Sequence, residues 1–225
     1  MKFSLECRDC PRLAGFLDQV RHDHPDYHAR PVAPFGDASP QLLVVGLAPG
    51  MHGANRTGRP FTGDHAGILL YQTLHRFGFA TAAQSLHAAD GLRLAGCRLT
   101  NAVKCVPPQN KPELSEIGQC NRYLQAELET LTKGTVVLAL GTIAHQAVLL
   151  ALAVKKTLLP FRHGARYELA NGLTLYDSYH CSRYNTQTKR LTESMFNQVF
   201  SDIVQNLSKN RPSTRPRECG AATAR

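Results

Sequence analysis

Four of the seven cysteines have a spacing that suits a metal site. Cys7 and Cys10 form a CxxC pair near the N-terminus, Cys105 ends the segment NAVKC, and Cys120 follows in the next predicted helix. Four thiolates can hold an iron–sulfur cluster or a structural zinc ion. The alternative is that these are four unrelated buried cysteines. Disulfides are not expected, because we expect a reducing compartment.

A glycine- and proline-rich loop over residues 47–63 begins directly after the apolar run QLLVVG. Its opening segment, GLAPGMHG, is not a P-loop, because no Gly-Lys-Ser/Thr follows, and it is not a GxGxxG motif. The chain also has no GxSxG esterase elbow. Glycine lets the backbone approach a ligand closely, so the segment predicts a ligand-binding loop of another kind.

The elements that must position these residues alternate between strands and helices. Short apolar runs predict strands at Gln41–Gly46, Cys97–Val103, Thr135–Leu140 and Leu173–Asp177, the last pairing with Arg166–Leu169 across an Asn-Gly turn. Helices are predicted at Arg12–Arg21, at His65–Phe77 with Asp64 as N-cap, from the capping segment Asn110–Glu113 to about Leu131, at Ile143–Ala153, and from the loop 181–189 to about Asn206.

This alternation predicts a three-layer α/β/α sandwich with a central, mostly parallel four-stranded sheet. Ligands bind such sheets beyond the carboxyl ends of the strands. The loops 47–63, 104–111 and 181–189 all begin there, so we expect them to build one site.

Composition bounds the class of protein. The chain has 225 residues, 43% of them hydrophobic, which excludes global disorder and collagen-like or coiled-coil folds. Its net charge of +9 favours a polyanionic partner such as nucleic acid or an anionic membrane, although a merely soluble basic protein is an equal alternative. We expect one domain over residues 1–207, a disordered basic tail over 208–225, no membrane span and a cytoplasmic location.

Three motifs together carry a resemblance to a known family. GLAPGMHGANRTGRPFTGD (46–64), TNAVKC (100–105) and YHCSRYNTQTKRLT (179–192), with the four cysteines, resemble the iron–sulfur uracil-DNA glycosylases, and family 5 (type B) more than family 4. The resemblance covers roughly residues 7–204. It implies the uracil-DNA glycosylase fold, a [4Fe–4S] cluster on Cys7, Cys10, Cys105 and Cys120, and a base-excision repair enzyme that releases uracil from DNA and leaves an abasic site.

The reaction that the resemblance implies gives each catalytic residue a physical role. Breaking the base–deoxyribose bond makes a cationic sugar and an anionic base, so a carboxylate belongs near the sugar and hydrogen-bond donors near the base. By resemblance Asp64 supplies the carboxylate, His180 donates to the departing base, and Asn101 reads its Watson–Crick edge. The alternatives are a plain helix N-cap, a packed core histidine and a strand-end asparagine.

The same resemblance bears on the pocket. The base must leave the stack, and Phe61 is a candidate platform for it, with core packing as the alternative. Gly50 stands where narrow-specificity relatives carry Tyr, which implies room for deaminated purines such as hypoxanthine. The substrate-binding residues are Gly46, Ala48, Pro49, Gly50, Phe61, Asn101 and Ser182.

Charge and loop position predict the DNA contacts. The DNA-binding residues are Arg56, Arg59, Arg183, Tyr184 and Asn185, with Tyr184 as a wedge and with Lys189 and Arg190 as further phosphate contacts. The alternatives are an exposed aromatic without a role and a solvated charged face.

One departure from the family pattern leaves other functions open. Cys181 replaces the proline that usually follows the motif histidine, which would loosen the loop that aims His180 and place an oxidisable thiol beside the site. A non-catalytic iron–sulfur DNA-binding protein is therefore one alternative, and a zinc-stapled nucleotide-binding protein is another. We expect Cys97 in the core and Cys219 free in the tail. No lysine within the motif cores offers a Schiff-base nucleophile, so we expect a monofunctional, monomeric enzyme that joins the nucleoid when bound to DNA.

Overall fold

The computed structural model describes residues 3–210, in which strands and helices alternate. The strands are β1 (Phe35–Gly36), β2 (Leu42–Gly46), β3 (Cys97–Asn101), β4 (Val136–Leu140), β5 (Arg166–Glu168) and β6 (Thr174–Ser178). The helices are α1 (Pro11–Asp23), α2 (Ala54–Thr57), α3 (His65–Arg76), α4 (Leu114–Glu129), α5 (Thr142–Ala151), α6 (Arg183–Gln187) and α7 (Glu193–Asn210).

One sheet of six strands forms the middle layer, in the order β1-β3-β2-β4-β6-β5. Its four central strands β3, β2, β4 and β6 are mutually parallel, as the apolar runs predict. The expected four-stranded sheet is thus its centre, and two short antiparallel strands complete its edges. Strand β1 is only two residues long, which leaves no periodicity by which to predict it.

Alternating side chains of the buried strands pack against helices on both faces of the sheet. Leu42 and Val44 of β2 belong to the core that includes side chains of α3 and α7. Leu43 and Val45 belong to the opposite core, which includes side chains of α1, α4 and α5. The three-layer α/β/α sandwich is therefore confirmed.

Several boundaries differ from the predicted ones. Helix α4 begins at Leu114, because Glu113 and Glu116 form a reciprocal capping box, and Asn110 instead lies in a 3₁₀ turn with a left-handed φ of 57°. Helix α7 continues to Asn210, past the expected domain end at residue 207. The rest of the predicted tail, including Cys219, lies outside the described residues.

Two of the predicted loops contain short helices. Helix α2 lies within the loop 47–63, and α6 lies within the loop 181–189. The predicted hairpin is present, with β5 paired to β6 and Gly172 at a φ of 83° in the turn. Within residues 3–210, none of the helices combines the length and the apolar character that crossing a membrane requires.

Candidate active site

A single cavity opens at the carboxyl ends of β2, β3 and β6, where the parallel sheet predicts a ligand site. Three segments of the chain that are far apart in sequence meet around it. Its lining residues are Leu47, Ala48, Gly50, Ala54, Phe61, Asp64, Ala66, Asn101, Asn110, His180 and Ser182. The structure therefore brings together all three predicted catalytic residues and most of the predicted pocket.

Asp64 is both a helix cap and a cavity carboxylate. One oxygen, Oδ1, accepts a hydrogen bond of 2.9 Å from the backbone N–H of Gly67 and so caps α3. The other, Oδ2, faces two glycines: an added Cβ would lie 3.4 Å from it at Gly50 and 2.6 Å at Gly53. Burial raises the pKa of Asp64, an effect that the backbone N–H groups of Gly67 and Ala66 oppose. The carboxylate is thus partly desolvated, which strengthens its field inside the cavity.

His180 leaves the end of β6 and is half-buried in the cavity wall. Burial lowers the pKa of its imidazole to about 4, so the ring is neutral near pH 7 and carries one N–H donor. Its ring centre lies 6.4 Å from that of Phe61, with the ring planes tilted by 32°. Its backbone carbonyl accepts a hydrogen bond of 2.8 Å from the side-chain amide of Asn185, which fixes the loop behind it.

Phe61 and Asn101 approach each other across a glycine. Phe61 is buried and has a φ of 55°, an unusual conformation for an aromatic residue that commonly accompanies a functional site. An added Cβ at Gly46 would lie 2.5 Å from both Phe61 Cζ and Asn101 Oδ1. Because Gly46 has no side chain, Phe61 and Asn101 can approach each other this closely. Gly46 and the buried Pro49 are absent from the described cavity lining, so their assignment as substrate contacts stays a prediction.

Asn110 lines the cavity but was interpreted from the sequence as a helix cap. It and Gln109 both have left-handed φ values, of 57° and 56°, in the loop that follows β3. Asparagine tolerates this conformation better than most residues do. The signal that could have found it is its position in a loop that begins at a strand's carboxyl end.

The predicted DNA contacts divide into exposed and internal residues. Tyr184 has 70% of its surface exposed on α6, with Arg183 exposed beside it, and Arg56 is exposed on α2. Asn185 is half-buried and donates its amide to the carbonyl of His180, so the structure assigns it to the loop rather than to DNA. Ser182 caps α6 by accepting from the Asn185 N–H at 3.4 Å.

Arg59 is not a DNA contact, because its side chain is buried. Its guanidinium pairs with Asp90 at 2.7 Å and donates 2.9 Å to the hydroxyl of Ser85. Burial alone would raise the pKa of Asp90, but Arg59 and the backbone N–H groups of Leu92 and Leu86 hold it below its usual value. The sequence shows the charge of Arg59 but not the distant carboxylate that neutralises it.

We expect Arg59→Ala to destabilise the fold while leaving the DNA affinity of the folded protein unchanged. Removing one partner of a buried ion pair costs about 3–5 kcal/mol of unfolding free energy. Arg56→Ala should instead leave thermal stability unchanged. It should make DNA affinity fall less steeply with salt concentration, by the amount that about one phosphate contact contributes to the log–log slope. Thermal unfolding and salt-dependent anisotropy of labelled DNA measure both. Equal losses of DNA affinity in the two variants would contradict the assignment.

Cys7, Cys10, Cys105 and Cys120 line one cavity beside α1 and α4. None of the six cysteines among the described residues is in a disulfide. Burial, the thiols of Cys120 and Cys7, and Glu116 raise the pKa of Cys10 to about 11. The backbone N–H of Lys104 points at Cys120 Sγ from 3.3 Å, as it would toward a sulfur ligand. These residues form the candidate metal centre.

The chemistry of these side chains fits a metal group. Four thiols that line one cavity are a donor set that either an iron–sulfur cluster or a structural zinc ion uses. Within residues 3–210, no group of three His, Cys, Asp or Glu side chains is already gathered around a single point.

Three basic side chains beside the cysteines are paired with carboxylates. Arg12 pairs with Glu116 at 2.7 Å and Lys104 with Glu127 at 2.6 Å. Arg8 is paired with Asp18. These ion pairs join the N-terminal segment and the β3–α4 loop to their surroundings, so the charges act within the fold.

The two remaining cysteines of the described residues lie in the core. Cys97 is buried in β3, as predicted. Cys181 is also fully buried, and burial together with the nearby Asp64 charge raises the pKa of its thiol to about 12. The effect of Cys181 on the loop stays a prediction. Enclosure of the thiol and its raised pKa oppose oxidation, and Asn185 donates a hydrogen bond to the adjoining His180 carbonyl.

A parallel α/β/α sandwich whose strand ends bring a carboxylate, an amide and an imidazole to one cavity is the architecture of a base-excising glycosylase. The chain belongs to the uracil DNA glycosylase superfamily, whose family model matches residues 33–204. Within it the chain belongs to the type-5 branch. It is 48% identical over 201 residues to the type-5 uracil-DNA glycosylase of Thermus thermophilus, covering 87% of this chain and 91% of that protein.

The chain is also similar to a second type-5 protein and, less closely, to a type-4 protein. The type-5 uracil-DNA glycosylase of Pyrobaculum aerophilum is 40% identical over 200 residues, which cover 87% of each chain. The type-4 uracil-DNA glycosylase of Archaeoglobus fulgidus is 31% identical over 135 residues, which cover 60% of each chain. The identity and the coverage are both higher for the type-5 proteins, in agreement with the motifs.

Proposed function

We propose that this protein excises uracil from DNA by hydrolysing the N-glycosidic bond and leaving an abasic site. The observation that carries the proposal is the meeting of Asp64, Asn101 and His180 around one cavity. None of the described residues that line this cavity is a lysine, which supports a monofunctional hydrolase that leaves the strand uncut.

Five side chains of the cavity have a step in this reaction. Phe61 packs against the extruded base, and Asn101 offers both a donor and an acceptor to its edge. Negative charge on Asp64 stabilises the electron-poor sugar as the bond to the base breaks, and a water molecule then bonds to the same sugar carbon and gives up a proton to the released base anion, which leaves an abasic site and neutral uracil. The neutral His180 donates its N–H to the carbonyl oxygen of the departing base, whose negative charge grows in the transition state. Asn110, at the cavity wall, offers a further amide to the base.

The decisive experiment uses duplex oligonucleotides that each carry one damaged base. Purified protein is incubated with the duplexes, and abasic sites are then cleaved with alkali. We expect cleavage of a duplex with uracil opposite guanine, and no cleavage before the alkali step. Intact uracil duplex after alkali, with wild-type protein at excess, would refute the proposal.

The alternative of a non-catalytic iron–sulfur DNA-binding protein rests on Cys181 in place of proline. The same oligonucleotides distinguish it, because it would shift the uracil duplex in a gel without making an alkali-labile site. Since Cys181 is buried and His180 remains in the cavity, we favour the enzyme.

The proposed substrate range includes deaminated purines such as hypoxanthine. A side chain at Gly50 would project beside Asp64, since an added Cβ lies 3.4 Å from Oδ2, and glycine leaves that space to the base. We expect Gly50→Tyr to reduce hypoxanthine release at least about tenfold more than uracil release, because the larger base needs more of the space. Single-turnover rates on both duplexes measure the ratio. An equal loss on the two bases would contradict this role.

We further propose that Cys7, Cys10, Cys105 and Cys120 hold a [4Fe–4S] cluster. It would supply a structural link between the N-terminal segment, the β3–α4 loop and α4, through thiolate bonds to iron. The four cysteines line a cavity separate from the catalytic one, and no step of the proposed reaction requires the cluster.

Replacing one ligand should remove both the metal and the link. We expect Cys105→Ser to lose the broad visible absorption and the bound iron, and to lower the melting temperature by at least about 5 °C, given roughly 2–4 °C per kcal/mol at this size. Cys181→Ala, which removes a buried thiol outside the set, should keep its iron. Iron analysis, absorption and thermal unfolding check this. A colourless wild-type protein containing zinc would refute the cluster.

DNA is the proposed partner, and we propose that the protein acts as a monomer in the cytoplasm, associated with the nucleoid while bound. The exposed Arg56, Arg183, Lys189 and Arg190 are the proposed phosphate contacts, with Tyr184 filling the place of the extruded base. Sedimentation of free and DNA-bound protein would reveal any larger assembly.

A further inference from the structure

One hydrogen bond joins the two walls of the catalytic cavity. His65, the first residue of α3, approaches Thr186 of α6 with Nε2 and Oγ1 3.0 Å apart. The residues are 121 positions apart in sequence. Asp64 precedes His65 in one wall, and Ser182 begins α6 in the other. Neither His65 nor Thr186 is among the described residues that line the cavity. Their hydrogen bond therefore positions the two elements that carry lining residues.

The donor and the acceptor of this bond can be assigned. The Thr186 hydroxyl lies 3.2 Å from the carbonyl of Ser182 and 3.1 Å from that of Arg183, and both of these groups only accept hydrogen bonds. These two acceptors favour donation of its one proton to the backbone, with its oxygen accepting from His65. In that arrangement His65 carries its proton on Nε2.

Helix α6 depends on such polar contacts for its position. It has five residues and contributes no fully buried side chain, so apolar packing anchors it only weakly. Its other ties include the Ser182 cap, the bond from Asn185 to the His180 carbonyl, and the Leu191 N–H that donates to the Asn185 carbonyl at 3.0 Å. Tyr184, with 70% of its surface exposed, projects from this helix.

We propose that His65 and Thr186 are positioning residues that latch α6 to α3 and so aim Tyr184 at the gap left by an extruded base. The proposal rests on the proposed function. We call the hydrogen bond between His65 and Thr186 the latch. It stabilises the complex of the protein with DNA in which one position has lost its base, whereas bond breaking in the cavity depends on Asp64 and His180. Its loss should therefore raise the dissociation constant for abasic DNA more than it slows single-turnover excision.

The test measures binding to a duplex with a tetrahydrofuran abasic analogue by fluorescence anisotropy. We expect His65→Leu to weaken binding about fivefold, within the range that one hydrogen bond supplies. His65→Gln, which keeps a donor, and Thr186→Ser, which keeps the hydroxyl, should bind within about twofold of wild type, as one intact hydrogen bond allows. Thr186→Val should match His65→Leu. His22→Leu, at an exposed histidine of α1, is the matched control.

Two double variants separate a latch from general destabilisation. His65→Leu with Thr186→Val should be no worse than either alone. In a Tyr184→Ala background, His65→Leu should have no further effect, because the latch acts through Tyr184. Wild-type binding by His65→Leu, or additive losses in either double variant, would overturn the latch. Failure to release uracil by a wild-type protein that binds the abasic duplex would refute the proposed function alone.

Discussion

Asp64→Asn should lose about 10³-fold in the rate of uracil excision while melting at or above the wild-type temperature. The amide loses the negative charge that faces the electron-poor sugar, and electrostatic stabilisation of this kind is commonly the largest single contribution to catalysis. Asparagine caps helices about as well as aspartate, so the bond to the Gly67 N–H is retained. The variant thus separates the two roles of one side chain.

The direction of the stability change follows from the pKa. Folding raises the pKa of Asp64 through burial, so the folded state disfavours the ionised form relative to the unfolded chain. Above that pKa the buried charge costs stability, and removing it should be neutral or stabilising.

Asp64→Ala gives the matched comparison, because it removes the charge and the cap together. We expect it to be as inactive as Asp64→Asn but to lose about 0.5–2 kcal/mol of unfolding free energy. Asp26→Asn, at an exposed carboxylate, controls for the loss of a charge. Single-turnover kinetics and thermal unfolding supply the measurements. Near-wild-type excision by Asp64→Asn would show that the residue is a cap and no more.

His180→Leu should lower the single-turnover rate by about 10²–10³-fold, the usual cost of removing one donor to a developing oxyanion. His180→Gln, which keeps an N–H group, should recover part of the rate. Because burial holds the imidazole pKa near 4, the wild-type ring stays neutral throughout the neutral range. The wild-type rate should therefore show no fall near the ordinary imidazole pKa of about 6.5 as the solution is acidified.

His180 also makes the fold sensitive to acid. Its pKa is lower in the folded than in the unfolded protein, so between about pH 6.5 and 4 the unfolded chain binds more protons. This contribution to stability is present above that range and is lost as the pH falls through it. His180→Leu should lose less stability across this window than wild type does. Identical pH dependences of melting in the two proteins would contradict a buried neutral ring.

The place of the site could be predicted from the order of the strands, whereas the roles of its residues come from the family resemblance. Asn101 ends β3, Asp64 follows the loop that leaves β2, and His180 lies two residues beyond the end of β6. Once the runs are recognised as parallel strands, their carboxyl ends must share one edge of the sheet. The sequence therefore indicates which residues meet there, although not the distances between them.

What could not be predicted depends on partners that are distant in sequence. Arg59 has the same local signature as an exposed phosphate contact until Asp90 and Ser85 are known to surround it. The segment Asn110-Lys-Pro-Glu113 resembles a helix start, but the reciprocal bonds of Glu113 and Glu116 place the cap three residues later, at Glu113. Both errors arise because tertiary contacts outweigh local preference.

The meeting of Cys7 and Cys10 with Cys105 and Cys120 in one cavity has a consequence for biosynthesis. A ribosome releases the first pair of thiols long before the second, so the N-terminal segment cannot complete its docking until more than half of the chain has emerged. The entropy cost of closing so long a loop grows only slowly with its length. The delay in docking the N-terminal segment therefore comes from the order in which the residues are translated. The N-terminal segment of a nascent chain therefore docks late, after β2 and β3 can already have paired.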